Sequence, residues 1–172
     1  MLNKPVFLVG FMGSGKTTWG KRLAHKLSLP FYDTDELIQV AEGKSITQIF
    51  HDSGEAYFRQ KEREILLNLD PIPCIIATGG GLPCYLNNME SLNKLGCTVY
   101  LRLPDKALFS RLNLEKGKRP LLSNLDDAEL LRFIQQKLEE REPVYLQSKV
   151  VVEVLKADVN SLVRHLLALN MQ

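Results

Sequence analysis

The residues Gly10-Phe11-Met12-Gly13-Ser14-Gly15-Lys16-Thr17 spell G-x-x-x-x-G-K-[ST], the spacing of a loop that holds nucleotide phosphates. Glycine lets the backbone approach a ligand where a Cβ would block it. Successive N–H groups then turn inward onto phosphate oxygens at the start of a helix. Lys16 reaches the outer phosphates, and the Thr17 hydroxyl offers a ligand to Mg²⁺. An apolar run before the loop and a helical pattern after it supply the context the motif requires. The expected chemistry is binding of a nucleoside triphosphate with Mg²⁺. The motif by itself leaves a kinase, a GTPase switch and an ATP-driven machine all open.

Two acids, Asp33 and Asp35, close the run "LPFYD" and its continuation. If the chain stays extended there, residues two apart point to one side and both carboxylates face one cleft. One acid can support a metal ion through water while the other orients and deprotonates an attacking hydroxyl. A cap on the following helix is the competing reading. A metal-binding Asp would be expected after "CIIAT", but "ATGGG" follows with Gly79, Gly80 and Gly81, so the metal-supporting role moves to Asp33. Three consecutive glycines make sense where a ligand touches the backbone, or in a flexible turn. Arg59 in "YFRQKE" and Arg141 in "EEREPVY" lie beside aromatic residues and proline rather than in charge-only tracts. Either could fork a carboxylate. Arg119 in "GKRPLL" could descend on a transferring phosphoryl group as an arginine finger does.

These groups need elements to hold them. Five short apolar runs read as strands, at 6–10, 29–33, 74–78, 97–103 and 149–155. Helices are expected between them, with Lys16–Leu27 the first and about Val159–Leu169 the last. Val- and Ile-rich strands without polar alternation suit a parallel sheet covered on both faces, and strand–helix alternation gives a three-layer α/β/α fold. In such a sheet all carboxyl ends share one edge, which brings the acids, the glycines and the phosphate loop to one side. The stretch 34–69 is too long for one crossover. Ser45 and Gln48 form a capping box, and a further helix starts after Ser53, so this stretch reads as a helical insert over that edge. The polar, Pro-containing segment 113–127 reads as a lid. All 172 residues are expected to form a single domain.

Composition narrows the classes. Lys and Arg total 22 against 20 for Asp and Glu, a net charge of +2 with no basic block, which argues against a nucleic-acid binder. Cys74, Cys84 and Cys97 are widely spaced without a CxxC pair, and the three histidines stand apart, so neither a disulfide framework nor a zinc site is expected. No signal segment or membrane-length apolar run is present, so a cytoplasmic protein is expected.

The stretches "GFMGSGKTT", "FYDTDELI", "SITQIF…GEAYFRQKE", "ATGGG", "RPLL" and "REPVY" occur in the order found in shikimate kinases, and the resemblance runs from about Val6 to Val154. It implies a P-loop fold of the nucleoside-monophosphate-kinase-like type around a five-stranded parallel sheet. The implied reaction moves the γ-phosphate of ATP to the 3-hydroxyl of shikimate, with Mg²⁺. By the same resemblance, Gly13, Ser14, Gly15, Lys16, Thr17 and Thr18 form the ATP phosphate loop, and Thr17 with Asp33 serves the metal. Asp35 holds shikimate hydroxyls and is the base. Arg59 and Arg141 take the shikimate carboxylate, and Gly80 with Gly81 touches the substrate. Phe50, Phe58 and Glu62 line or brace its pocket. Arg119 is implied to reach the phosphates and Arg111 to pack near adenine. Shikimate and ATP are then the partners, and a monomer is expected.

The chain departs from the family pattern at Trp19, read as packing, and at 152–158, where no adenine contact is assigned. Two other readings stay open on residues alone. A gluconate or nucleotide kinase keeps the phosphate loop without needing Asp35, Arg59, Gly80 and Arg141 together. A nucleotide-dependent switch gives no reason for a carboxylate clamp.

Overall fold

Val6 and Leu8 point to one side of the first strand while Phe7 and Val9 point to the other, and all four are fully buried. An extended chain that is apolar on both faces must lie inside a sheet with cover above and below. A computed structural model of the chain, which describes residues 2–116 and 122–169, has this arrangement. Five strands, β1 (Val6–Val9), β2 (Phe31–Asp33), β3 (Ile75–Ala77), β4 (Cys97–Arg102) and β5 (Val150–Glu153), pair in parallel in the order β2-β3-β1-β4-β5. Val6 is flanked by Ile75 on one side and Cys97 on the other. This is the three-layer fold expected from the sequence. The strands are shorter than the apolar runs: β2 begins at Phe31, because Pro30 has no N–H to give a ladder and contributes only its carbonyl, to Ile75.

Seven helices complete the chain: α1 (Lys16–Leu27), α2 (Thr34–Glu42), α3 (Ile46–Leu67), α4 (Asn88–Leu95), α5 (Asp105–Asn113), α6 (Asp127–Tyr145) and α7 (Val159–Leu169). On one face, α1 and α7 bury Trp19, Leu23, Leu162 and Leu166 against Val6, Leu8 and Val99. Trp19 is thus a packing residue. On the other face, Leu66, Met89, Leu92 and Tyr145 cover Phe7, Val9 and Ile76. The helices α5 and α6 meet over Phe11, Leu112, Leu122 and Ile134.

The turns are written locally. Ser45 and Gln48 cap α3 reciprocally, and Asp126 with Glu129 does the same for α6. Within α3 the chain breaks helical geometry at Gly54 (φ 78°, ψ 174°), which divides it into two helices where the sequence has Ser53-Gly54. Ile38 of α2 and Ile49 and Phe58 of α3 form an apolar cluster of their own, separate from the clusters on the sheet. Among the described residues no helix is long and apolar enough to cross a membrane, and the three cysteines are free thiols.

Candidate active site

The strand order decides the site. Because β2, β3 and β1 are neighbours, their carboxyl ends deliver Asp33, the glycine run and the phosphate loop side by side. The phosphate loop turns through left-handed backbone at Gly13 (φ 79°) and Gly15 (φ 98°), where a side chain would be strained. Gly15 is the N-cap of α1, so the loop's free N–H groups sit at a helix N-terminus. Lys16 Nζ donates to the carbonyls of Gly10 (2.8 Å) and Phe11 (2.9 Å), folded over the loop it serves. The Thr17 hydroxyl donates to Asp33 Oδ2 at 2.8 Å. Arg111 donates to the Gly13 carbonyl at 3.1 Å, which sets its guanidinium on the loop itself.

Asp33 and Asp35 do not share an extended chain. Asp33 ends β2 and becomes the N-cap of α2, its Oδ1 accepting from the Asp35 N–H at 3.1 Å. Asp35 therefore belongs to the first helical turn. The two carboxylates still line one cavity, but a helix N-terminus puts them there rather than strand alternation. The cap and the shared cleft, weighed as alternatives from the sequence, are both present.

Two cavities open on this edge. One, of about 450 Å³, is lined by the phosphate loop, Thr17, Thr18, Asp33 and Arg111. The other, of about 350 Å³, is lined by Phe50, Phe58, Arg59, Glu62, Gly81 and Arg141. Met12, Asp35, Gly79 and Gly80 border both. Every site residue expected from the sequence among those described borders one of these cavities, except Ser14, which is buried within the loop. Arg119 lies outside the described residues.

The second cavity is cationic on an aromatic base. Phe50 and Phe58 pack with ring centres 4.9 Å apart, and the Arg59 guanidinium lies 5.4 Å from the Phe58 ring. Arg141 lies 5.9 Å from the Phe11 ring. Arg59 is fixed by Glu62 at 2.5 Å, one turn along α3, and by Glu55 at 2.9 Å. Glu62 is fully buried, and its Oε1 finds no hydrogen-bond partner among the described residues. Burial pushes its carboxyl up to about 7; Arg59 opposes the rise and Asp35 adds to it. Burial also lowers the Arg59 pKa, but Glu62 and Glu55 outweigh it and raise the pKa overall, so Arg59 keeps its charge.

The glycines are explained by what surrounds them. A Cβ on Gly79 would collide with Glu62 Oε1 and stand 2.9 Å from Asp35 Oδ1. One on Gly80 would press on the Met12 N–H at 3.2 Å, and one on Gly81 would stand 2.5 Å from Arg59 Cζ. The run leaves room for the acids, the loop backbone and the arginine in turn. Sequence reasoning missed one participant. Tyr145, fully buried in "REPVY", donates its hydroxyl to the Gly80 carbonyl at 2.6 Å. Its place four residues after Arg141 was the available signal.

A phosphate loop on β1 of this strand order, with an acceptor cavity beside it, defines a P-loop small-molecule kinase with the nucleoside-monophosphate-kinase-like fold. The family model described as shikimate kinase matches residues 12–169, and the chain belongs to that family. It is 45% identical over 147 residues to a shikimate kinase of Bacteroides fragilis, covering 85% of this chain and 82% of the relative. The crystal structure of shikimate kinase from Bacteroides thetaiotaomicron superposes with a TM-score of 0.87 at 39% identity, over 99% of this chain and all of that one. A shikimate kinase from Acinetobacter baumannii, solved in complex with shikimate, superposes with a TM-score of 0.83 at 33% identity, over 98% and 93% of the two chains.

Proposed function

We propose that the chain transfers the γ-phosphoryl group of ATP to the 3-hydroxyl of shikimate, giving shikimate 3-phosphate and ADP on the route to chorismate and the aromatic amino acids. The observation that carries this reading is the pairing of two guanidinium groups, Arg59 and Arg141, in the cavity that Asp35 shares with the phosphate loop. A carboxylate-bearing alcohol is the acceptor such a pocket suits, its carboxylate forked by the arginines and its hydroxyl turned to Asp35. A gluconate or nucleotide kinase and a nucleotide switch are not favoured by this family membership.

In this reading Asp35 accepts the hydroxyl proton as the new O–P bond forms and the bond to the β-phosphate oxygen breaks. Lys16 leaves its loop carbonyls to meet the charge that develops on the transferring group. Arg119 joins it from the lid segment 113–127, and Arg111 packs beside the nucleotide. Gly13 to Thr18 cradle the phosphates, while Gly80 and Gly81 offer backbone to the acceptor over the Phe50–Phe58 floor. The Thr17 hydroxyl and the Asp33 carboxylate form an all-oxygen donor pair beside the phosphate loop, which suits Mg²⁺, a hard ion that keeps most of its waters. When bound, Mg²⁺ would neutralise charge on the outer phosphates. Apart from Arg119, the groups named here lie on one edge of one chain, which supports a monomer as the working unit.

The test is ADP release, coupled to a spectroscopic readout, with ATP, Mg²⁺ and shikimate. Shikimate-dependent release is expected. Release that responds to gluconate or a nucleoside monophosphate instead would overturn the proposal.

A further inference from the structure

Tyr145 sits at the last residue of α6, four positions after Arg141 and therefore on the same face of the helix. Its hydroxyl donates to the Gly80 carbonyl at 2.6 Å. The Arg141 guanidinium and the Cys84 thiol are further polar neighbours of the phenol. Its ring packs on Tyr100 of β4 with centres 5.1 Å apart. The Tyr100 hydroxyl in turn donates to Glu142 Oε1 at 3.2 Å, and Arg102 holds the same oxygen at 2.8 Å. Arg141 is thus carried on a turn gripped at both sides, by Glu142 onto β4 and by Tyr145 onto the glycine run.

That grip has a task, because Pro143 lies inside the helix between Arg141 and Tyr145. A proline there has no N–H to return to the preceding turn, so the backbone holds this turn less firmly than an ordinary one. Side-chain bonds across the fold must set its height above the sheet. Gly80 borders both cavities, and Arg141 lines the acceptor cavity. A bond from Tyr145 to Gly80 therefore ties the arginine to the boundary between the two.

We propose that Tyr145 is a positioning residue for the acceptor: its hydroxyl, anchored on Gly80, fixes the Arg141 guanidinium at the distance from the phosphate loop that shikimate requires. This rests on the reading of the cavity as the shikimate site. Tyr145 acts through Arg141 and Gly80 and does not touch the reacting atoms.

The test is Tyr145→Phe, which removes the hydroxyl and keeps the ring packed. Wild-type turnover with shikimate is measured first; its absence would refute the functional reading and leave the anchor unaddressed as a separate matter of geometry. With wild-type turnover present, the KM for shikimate should rise about tenfold, the effect of losing one buried hydrogen bond. The KM for ATP should stay within about twofold, since the bond lies on the acceptor side. In Arg141→Ala, adding Tyr145→Phe should change the KM for shikimate little, because the two act as one unit. An unchanged KM for shikimate, a parallel rise in both KM values, or full additivity in the double variant would overturn the proposal. Should Tyr145→Phe show no cooperative melt, 4-aminophenylalanine and 4-methylphenylalanine at position 145 separate donor from volume. The amino form should keep the KM for shikimate near wild type and the methyl form should raise it; equal values would overturn the proposal.

Discussion

Gly81 and Arg59 compete for one volume: a Cβ on the glycine would stand 2.5 Å from the guanidinium carbon and 2.6 Å from each terminal nitrogen. The arginine is held there by Glu62 and Glu55, so it cannot swing aside without breaking an ion pair. Gly81→Ala should therefore displace Arg59 and raise the KM for shikimate by about tenfold or more, while the KM for ATP changes little. Steady-state kinetics in both substrates check this. Equal KM changes would mean that Arg59 does not serve the acceptor.

Glu62 makes stability depend on pH. Burial holds its carboxyl at about 7, above its ordinary value of 4.5, so the native state binds this proton more tightly than the unfolded chain. Its contribution is full below that ordinary value and declines as pH rises towards about 7. Glu62→Gln carries no such proton. Its melting temperature should gain on wild type between about pH 5 and about pH 8, by an amount no larger than about 3 kcal/mol. Thermal melts across that range check it. A gap that stays constant with pH would show that Glu62 ionises normally.

Lys16 spans the loop carbonyls of Gly10 and Phe11 before any phosphate arrives. Lys16→Ala should lower kcat by about a hundredfold or more, since the charge it meets develops during transfer. Wild-type kcat in this variant would remove Lys16 from the chemistry.

Asp33 has two tasks on two oxygens, capping α2 with Oδ1 and receiving Thr17 on Oδ2. Asp33→Asn keeps an oxygen for the cap and loses the charge. The Mg²⁺ concentration giving half-maximal activity should rise about tenfold with the melting temperature little changed. A large loss of stability with an unchanged Mg²⁺ response would reduce Asp33 to a cap.

Arg141→Ala should raise the KM for shikimate more than that for ATP, because it removes a partner of the acceptor carboxylate. Isothermal titration with each ligand separately checks the same point at equilibrium. Equal losses would place Arg141 outside the acceptor pocket.

Local pattern carried the elements a long way. The bounds of α1 and α7 follow from apolar spacing, and the cap of α3 follows from Ser45 and Gln48. The phosphate loop was legible because its glycines answer to backbone geometry, a local demand. What the sequence hid is lateral. That β3 lies between β2 and β1 is a long-range choice, and it puts Asp33, Gly79 and Gly13 on adjacent strand ends. Asp35 looked like part of a strand because nothing local shows that Asp33 has already become a cap. The reason for three glycines in a row, the buried charge of Glu62 and the anchor from Tyr145 all arise from residues far apart in sequence.

The strip Gly79-Gly80-Gly81 has a bearing on drug resistance. Each of its positions is closed to added bulk by a different neighbour: the carboxyls of Glu62 and Asp35, the phosphate-loop backbone, and Arg59. A pathogen usually escapes an inhibitor by enlarging a residue that the compound leans on. Along this strip, enlargement would push against the groups that bind substrate and nucleotide. A compound resting on these three backbones would therefore meet a surface with little room to evolve.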